Sequence, residues 1–164
     1  MKNEKAKNFA IEKKSKNFWL LKSEPETFSI DDLKRVKVEP WTGVRNYQAR
    51  NNMMSMSVGD ECFFYHSSCE IPAIVGICKV SKVRVVDELQ FDSTSEYFDP
   101  KSTRENPRWF CIEVKFLKKF TKILPLSELK QIPELRNMNL LQKGSRLSVQ
   151  PVKDLEFQTI LKLN

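Results

Sequence analysis

Phe110-Cys111-Ile112-Glu113-Val114-Lys115-Phe116-Leu117 puts Phe110, Ile112, Val114 and Phe116 on one side of an extended chain and Cys111, Glu113, Lys115 and Leu117 on the other. A period of two predicts a strand with one face in a core and the other partly in water. Working outward, residues 60–67, built around Cys62-Phe63-Phe64-Tyr65-His66, and residues 73–86, rich in Val and Ile, predict two further strands, with Gly76 a candidate bulge or bend. Phe18-Trp19-Leu20-Leu21 reads as a short first strand running into the turn Lys22-Ser23-Glu24-Pro25, and residues 146–150 as a last strand.

Helical signals fall between these runs. Ser29 and Asp32 have the spacing of a capping box, in which hydroxyl and carboxylate satisfy orphan N–H groups, and predict a short helix ending near Val36. Pro40 and Gly43 break the chain before a second helical segment over residues 44–56. Residues 125–132 and 152–163 supply two more, the latter with Phe157, Ile160 and Leu161 at helical spacing. Residues 87–108, polar and carrying Pro100 and Pro107, form the longest loop, a length usually reserved for function or disorder. Short strands interleaved with short helices predict an α+β fold, a small mixed β-barrel with flanking short helices rather than a βαβ array.

Composition narrows the function classes. The 164 residues suit one domain, and 40% hydrophobic with 30% charged residues suits a globular one. No apolar run approaches the roughly 18 residues that would cross a bilayer. Four cysteines, at 62, 69, 78 and 111, lack C-x-x-C spacing, and His66 is the only histidine, so neither a metal nor a cofactor is expected. Glycine-rich phosphate loops and a G-x-S-x-G elbow are also missing, which removes the common nucleotide-binding and hydrolytic signatures. The net charge is +7, and residues 1–17 carry six lysines against two glutamates. That asymmetry predicts a flexible basic tail over 1–17, either merely solvated or a phosphate-binding arm, ahead of a domain over 18–164. With no apolar stretch after the lysines, a cytoplasmic location is expected, and a nuclear one if the source is eukaryotic.

One segment concentrates recognition chemistry. Trp41-Thr42-Gly43-Val44-Arg45-Asn46-Tyr47-Gln48-Ala49-Arg50-Asn51 holds two aromatic rings, two guanidiniums and three side-chain amides. An amide offers donor and acceptor in one plane, as the edge of a nucleobase requires, and a guanidinium suits phosphate; the same groups also serve local capping. His66 is equally suited to a ligand role and to a hydrogen-bonded core position, and it faces the opposite side of its strand from Tyr65.

These residues resemble a known family. Trp19-Leu20-Leu21-Lys22-Ser23-Glu24-Pro25, the Trp41 to Asn51 segment, Phe63-Phe64-Tyr65-His66-Ser67, Asp99-Pro100 with Asn106-Pro107-Arg108-Trp109, and Arg146-Leu147-Ser148-Val149-Gln150-Pro151 look like successive blocks of the EVE domain. The resemblance spans residues 18–163 and implies a PUA-like barrel that holds a modified nucleobase, such as a methylated or hydroxymethylated cytosine, in DNA or RNA. Similar stand-alone bacterial domains are associated with modified nucleic acid. Carried over by position, it implies a site built from Lys22, Ser23, Glu24, Trp41, Val44, Arg45, Asn46, Tyr47, Arg50, Tyr65, His66, Ser67, Arg146 and Ser148.

In that site Trp41 or Tyr65 would stack on an extruded base, Asn46 and Ser23 would bond its edge, and Arg45, Arg50, Lys22 and Arg146 would meet phosphates. The expected protein is a monomeric, non-catalytic reader. The rival expectation is a hydrolase of the related ASCH type acting on modified cytidine, with Lys22 and Glu24 as nucleophile and base.

Overall fold

The computed structural model describes residues 15–164. Of the basic tail expected over 1–17, residues 1–14 lie outside the described residues. Six strands form one sheet: β1 (Phe18–Ser23), β2 (Val38–Pro40), β3 (Glu61–His66), β4 (Ala73–Val86), β5 (Phe110–Pro125) and β6 (Val149–Val152). Their spatial order is β2-β5-β4-β3-β1-β6, with β1 parallel to β3 and every other pair antiparallel. Among the described residues four α-helices accompany them: α1 (Ile30–Val36), α2 (Tyr47–Met54), α3 (Leu126–Leu129) and α4 (Asp154–Leu161).

The fold is α+β, as expected, but the sheet is not a closed barrel. Its two ends, β2 and β6, do not pair. Strand β2 is only three residues long and ends in Pro40, which takes one N–H donor from the sheet edge. Helix α2 spans the opening instead: it packs on both β5 and β6, and Asn52 Nδ2 donates to Val149 O at 2.9 Å.

Alternation in β1 and β3 splits the core into two layers. Trp19, Leu21, Cys62 and Phe64 point to one face, where Ile30 and Leu33 of α1 and Ala49 and Met53 of α2 cover them. Leu20, Phe63 and Tyr65 point to the other, against Phe120, Leu124, Leu129, Phe157 and Ile160. Each large apolar side chain so buried contributes about 1.5–3 kcal/mol, which fixes the register because a one-residue slip would exchange the faces.

The β4–β5 ladder is long and irregular. Its register shifts at four places, and such bulges bend and twist a pair of strands. Gly76 sits at the first shift, where an added Cβ would lie 2.4 Å from Lys118 O, so no other residue fits. Strand β5 continues to Pro125, well past the expected Leu117, and buries Phe120 and Leu124. Among the described residues no helix is long and apolar enough to cross a membrane.

Residues 87–108 are an ordered connection, pinned by buried polar groups. Gln90 Nε2 donates to Asp87 O and Trp109 O, both at 2.8 Å, while its Oε1 accepts the Arg108 and Trp109 N–H groups at 3.0 Å. Asp99 Oδ2 accepts Trp109 Nε1–H at 2.7 Å, a bond that holds the Asp99 carboxyl below its usual pKa.

Candidate functional site

A cavity of about 900 Å³ opens where the end of β1, the β2–α2 connection and residues 145–148 meet. The ends of β1 and β2 and the turns that follow them make its walls. Lys22 N donates to Ser148 O at 2.9 Å, which ties the segment before β6 to β1. Ser23 Oγ donates to Phe28 O at 2.6 Å, and Ser23 O accepts from Ser67 N at 3.0 Å, so one serine joins three parts of the wall. The Lys22 ammonium reaches Ser145 O at 3.4 Å, and burial lowers its pKa.

Trp41 forms the apolar wall. Its N–H bonds Ile112 O at 2.8 Å, extending the β2 edge by one residue, and its ring stands edge-on to Phe64 with centroids 5.5 Å apart. The indole is 7% exposed, so it serves the core and the cavity together.

Beyond it, Gly43 adopts φ +81°, and a Cβ there would approach the Tyr97 ring at 3.0 Å. The turn therefore needs glycine on two counts. Asp87, buried beneath, accepts from Gly43 N and Arg45 Nη1, each at 2.8 Å. Arg45 Nε donates to Tyr97 O at 2.9 Å, and its guanidinium lies 5.5 Å from the Tyr97 ring centroid and 5.1 Å from that of Trp109. Burial first, then Glu96, raises the Tyr97 pKa.

The structure brings together Lys22, Ser23, Glu24, Trp41, Val44, Arg45, Asn46, Ser67, Arg146 and Ser148 around this cavity. Asn46 also caps α2, its Oδ1 accepting Ala49 N at 2.9 Å, so that oxygen is occupied by the fold. Four of the expected residues lie elsewhere. Tyr47 stacks on Trp109 with centroids 5.0 Å apart, and Arg50 lies over both rings while donating to Arg108 O at 2.8 Å. Tyr65 belongs to the core layer on the far face of the sheet, where burial pushes its hydroxyl up to about 12. His66 Nε2 accepts the Ile30 N–H at 3.1 Å at the start of α1; burial lowers its pKa, and the acceptor role requires that nitrogen unprotonated.

Glu39, Glu96 and Tyr97, which sequence reasoning does not single out, also line the cavity. Glu39 lies two residues before Trp41, a spacing that places both on one side of an extended chain and is the one signal that points to it. Among the described residues no group of three or more His, Cys, Asp or Glu side chains is placed to hold a metal ion. Cys62, Cys78 and Cys111 are buried free thiols, and burial holds the Cys111 thiol up at about 12.

The family model described as the EVE domain matches residues 17–163. The chain belongs to the EVE domain family. Thymocyte nuclear protein 1 of Mus musculus is 41% identical, over 90% of this chain and 73% of its own length. The solved structure of human THYN1 in complex with 5-methylcytosine-containing DNA is 40% identical, with a TM-score of 0.85 over 90% of this chain and 96% of that one. A protein of Pseudomonas syringae is 48% identical, with a TM-score of 0.86 over 89% of this chain and 98% of the other. An ASCH protein of Zymomonas mobilis, 12% identical with a TM-score of 0.50, shares the EVE domain's fold alone. The EVE match begins one residue before β1 and ends two residues after α4, so the site described above lies wholly inside it.

Proposed function

We propose that this EVE domain is a non-catalytic reader that takes one modified cytosine, extruded from DNA, into the cavity beside Trp41. The observation that carries the reading is the open, polar-rimmed cavity with an indole wall, in a chain 40% identical to a human protein solved with 5-methylcytosine DNA. The cavity's volume lies within the roughly 300–1,000 Å³ usual for small-ligand pockets.

In this reading the Trp41 indole contacts the base, Ser23 and Asn46 present polar atoms near its edge, and Arg146 meets a flanking phosphate. Arg146 suits that role because it is exposed and has no hydrogen-bond or ion-pair partner among the described residues. Arg45, paired with buried Asp87, builds the wall rather than reaching for phosphate.

Magnitudes shape the mechanism. Stacking supplies roughly 1–3 kcal/mol per base and extrusion from a duplex costs a few, so these nearly cancel. Affinity then rests largely on phosphate contacts, while one buried methyl adds only about 0.8 kcal/mol, a factor of about four. A panel of short oligonucleotides, single- and double-stranded, DNA and RNA, each with one modified base, tests the reading at two salt concentrations. Selective binding of modified-cytosine DNA is expected; equal affinity for plain and modified strands would overturn it.

A hydrolase is the second reading, favoured by one observation: Lys22, a potential amine nucleophile with a pKa lowered by burial, lines the cavity with Glu24. Release of a changed nucleoside on prolonged incubation would decide for it, since a reader returns its ligand intact.

A further inference from the structure

We propose that Glu39 is the residue by which this site tells a methylated cytosine from thymine, its carboxylate accepting the exocyclic 4-amino group. The inference rests on the reader proposed above and extends it to a named discriminating contact. Thymine carries the same 5-methyl group as 5-methylcytosine and is present throughout DNA. A wall that senses only the methyl would therefore be filled by the commoner base. The two differ at the opposite edge: position 4 bears an amine donor in cytosine and a carbonyl acceptor in thymine. A reader needs an acceptor there that rewards the first and repels the second.

Glu39 meets that need. It lies on the edge strand β2, half-buried in the cavity wall two residues before Trp41, so carboxylate and indole share one side of the chain. Its backbone pairs with Val114, but its carboxylate has no hydrogen-bond or ion-pair partner among the described residues. Other acids nearby are differently placed. Asp87 is consumed by Gly43 and Arg45, while Glu24 and Glu96 are exposed at the rim, where Glu96 interacts with the Tyr97 hydroxyl. Facing the open cavity with no protein donor, the Glu39 carboxylate is available to accept a ligand N–H. Opposite the thymine 4-carbonyl the same group would face a second acceptor, with no proton to share.

The experiment compares binding of otherwise identical oligonucleotides carrying one 5-methylcytosine, cytosine, thymine or 5-methylpyrimidin-2-one, the last lacking any substituent at position 4. The native protein is expected to prefer 5-methylcytosine over thymine by roughly ten- to a hundredfold, the scale of one good base-edge contact plus an unpaired acceptor. Its affinity for the 4-unsubstituted base should fall between the two. In Glu39→Gln, whose amide can turn its N–H₂ toward a carbonyl, the preference over thymine should shrink to within about threefold. A folded Glu39→Gln that still rejects thymine as the native protein does would overturn the assignment while leaving the reader intact. So would native protein that binds the 4-unsubstituted base as tightly as 5-methylcytosine, a result that needs no variant. Failure of the native protein to separate 5-methylcytosine from cytosine would remove the underlying reading, and this inference with it.

Discussion

Asp87 and Arg45 form a nearly dry ion pair: Asp87 Oδ2 stands 2.8 Å from Arg45 Nη1, with the side chains 2% and 21% exposed. The same oxygen holds the Gly43 N–H at 2.8 Å, so one atom orients both the turn and the guanidinium. Asp87→Ala would leave the guanidinium shielded and uncompensated, with its Nη2 already lacking a partner. Removing one member of such a pair costs about 3–5 kcal/mol. Urea unfolding should show a loss near that size, and Arg45→Met in the same background should recover part of it.

Trp41 is more a core residue than a free platform, since it is packed against Phe28 and Phe64. Trp41→Ala is expected to cost about 3–5 kcal/mol of stability, so weaker binding in that variant would confuse folding with recognition. Trp41→Leu keeps most of the apolar bulk and removes the aromatic face. It should stay folded and bind modified DNA roughly five- to a hundredfold more weakly, the size of one stacking interaction. Unchanged affinity in titrations would take the indole out of the site.

His66 predicts an acid sensitivity whose sign follows from its hydrogen bond. Nε2 accepts from Ile30 N–H, and burial sets the folded pKa below the ordinary 6.5, with Asp31 and Lys119 acting in opposite directions. The unfolded chain therefore binds the proton more readily than the folded one. The stability contribution is present in full above the unfolded value and is lost as pH falls through the folded value. Urea midpoints should drop between pH 7 and pH 5, and drop less in His66→Gln, which keeps an acceptor without a titrating ring.

The lysine-rich stretch at the start of the chain predicts a salt effect separable from base choice. Deleting residues 2–16 should flatten the dependence of log affinity on log salt, by up to about 0.9 for each phosphate that those lysines would otherwise neutralise. The order of preference among modified bases should not change. A changed order would give the stretch a part in recognition.

Local signals are legible in the sequence where the groups are covalently close. The Ser29–Asp32 capping box forms as its spacing predicts, with Asp32 N bonded to Ser29 Oγ at 3.1 Å and Ser29 N to Asp32 Oδ2 at 2.9 Å. Strand β2 escapes a sequence reading because three residues ending in proline carry no period. The far half of β5 escapes it because Lys118, Lys119 and Lys122 interrupt the alternation where its surface meets water, leaving only Phe120 and Leu124 to mark the core side. That the sheet stays open between β2 and β6 is not legible either, since nothing in the sequence says that α2 rather than a ladder spans the gap.

The site divides along the same line. Residues in two compact motifs, at 22–24 and 41–46, line the cavity together because within each motif they are covalently close. Tyr97 and Glu96 reach the cavity only through the polar anchors of residues 87–108, which leave no hydrophobic pattern. Tyr65 illustrates the converse: it follows directly on Phe64, whose ring packs against Trp41, yet alternation turns its own ring to the other core.

Because the cavity is assembled from residues spread between positions 22 and 148, only a fragment that spans most of the chain contains it. Occupancy and global unfolding are consequently linked through mass action: a ligand at a hundred times its Kd should add about 2.7 kcal/mol to the whole fold. Melting temperature can thus serve as a label-free screen for the natural ligand, with compounds ranked by how far they delay the collapse of segments that never touch them.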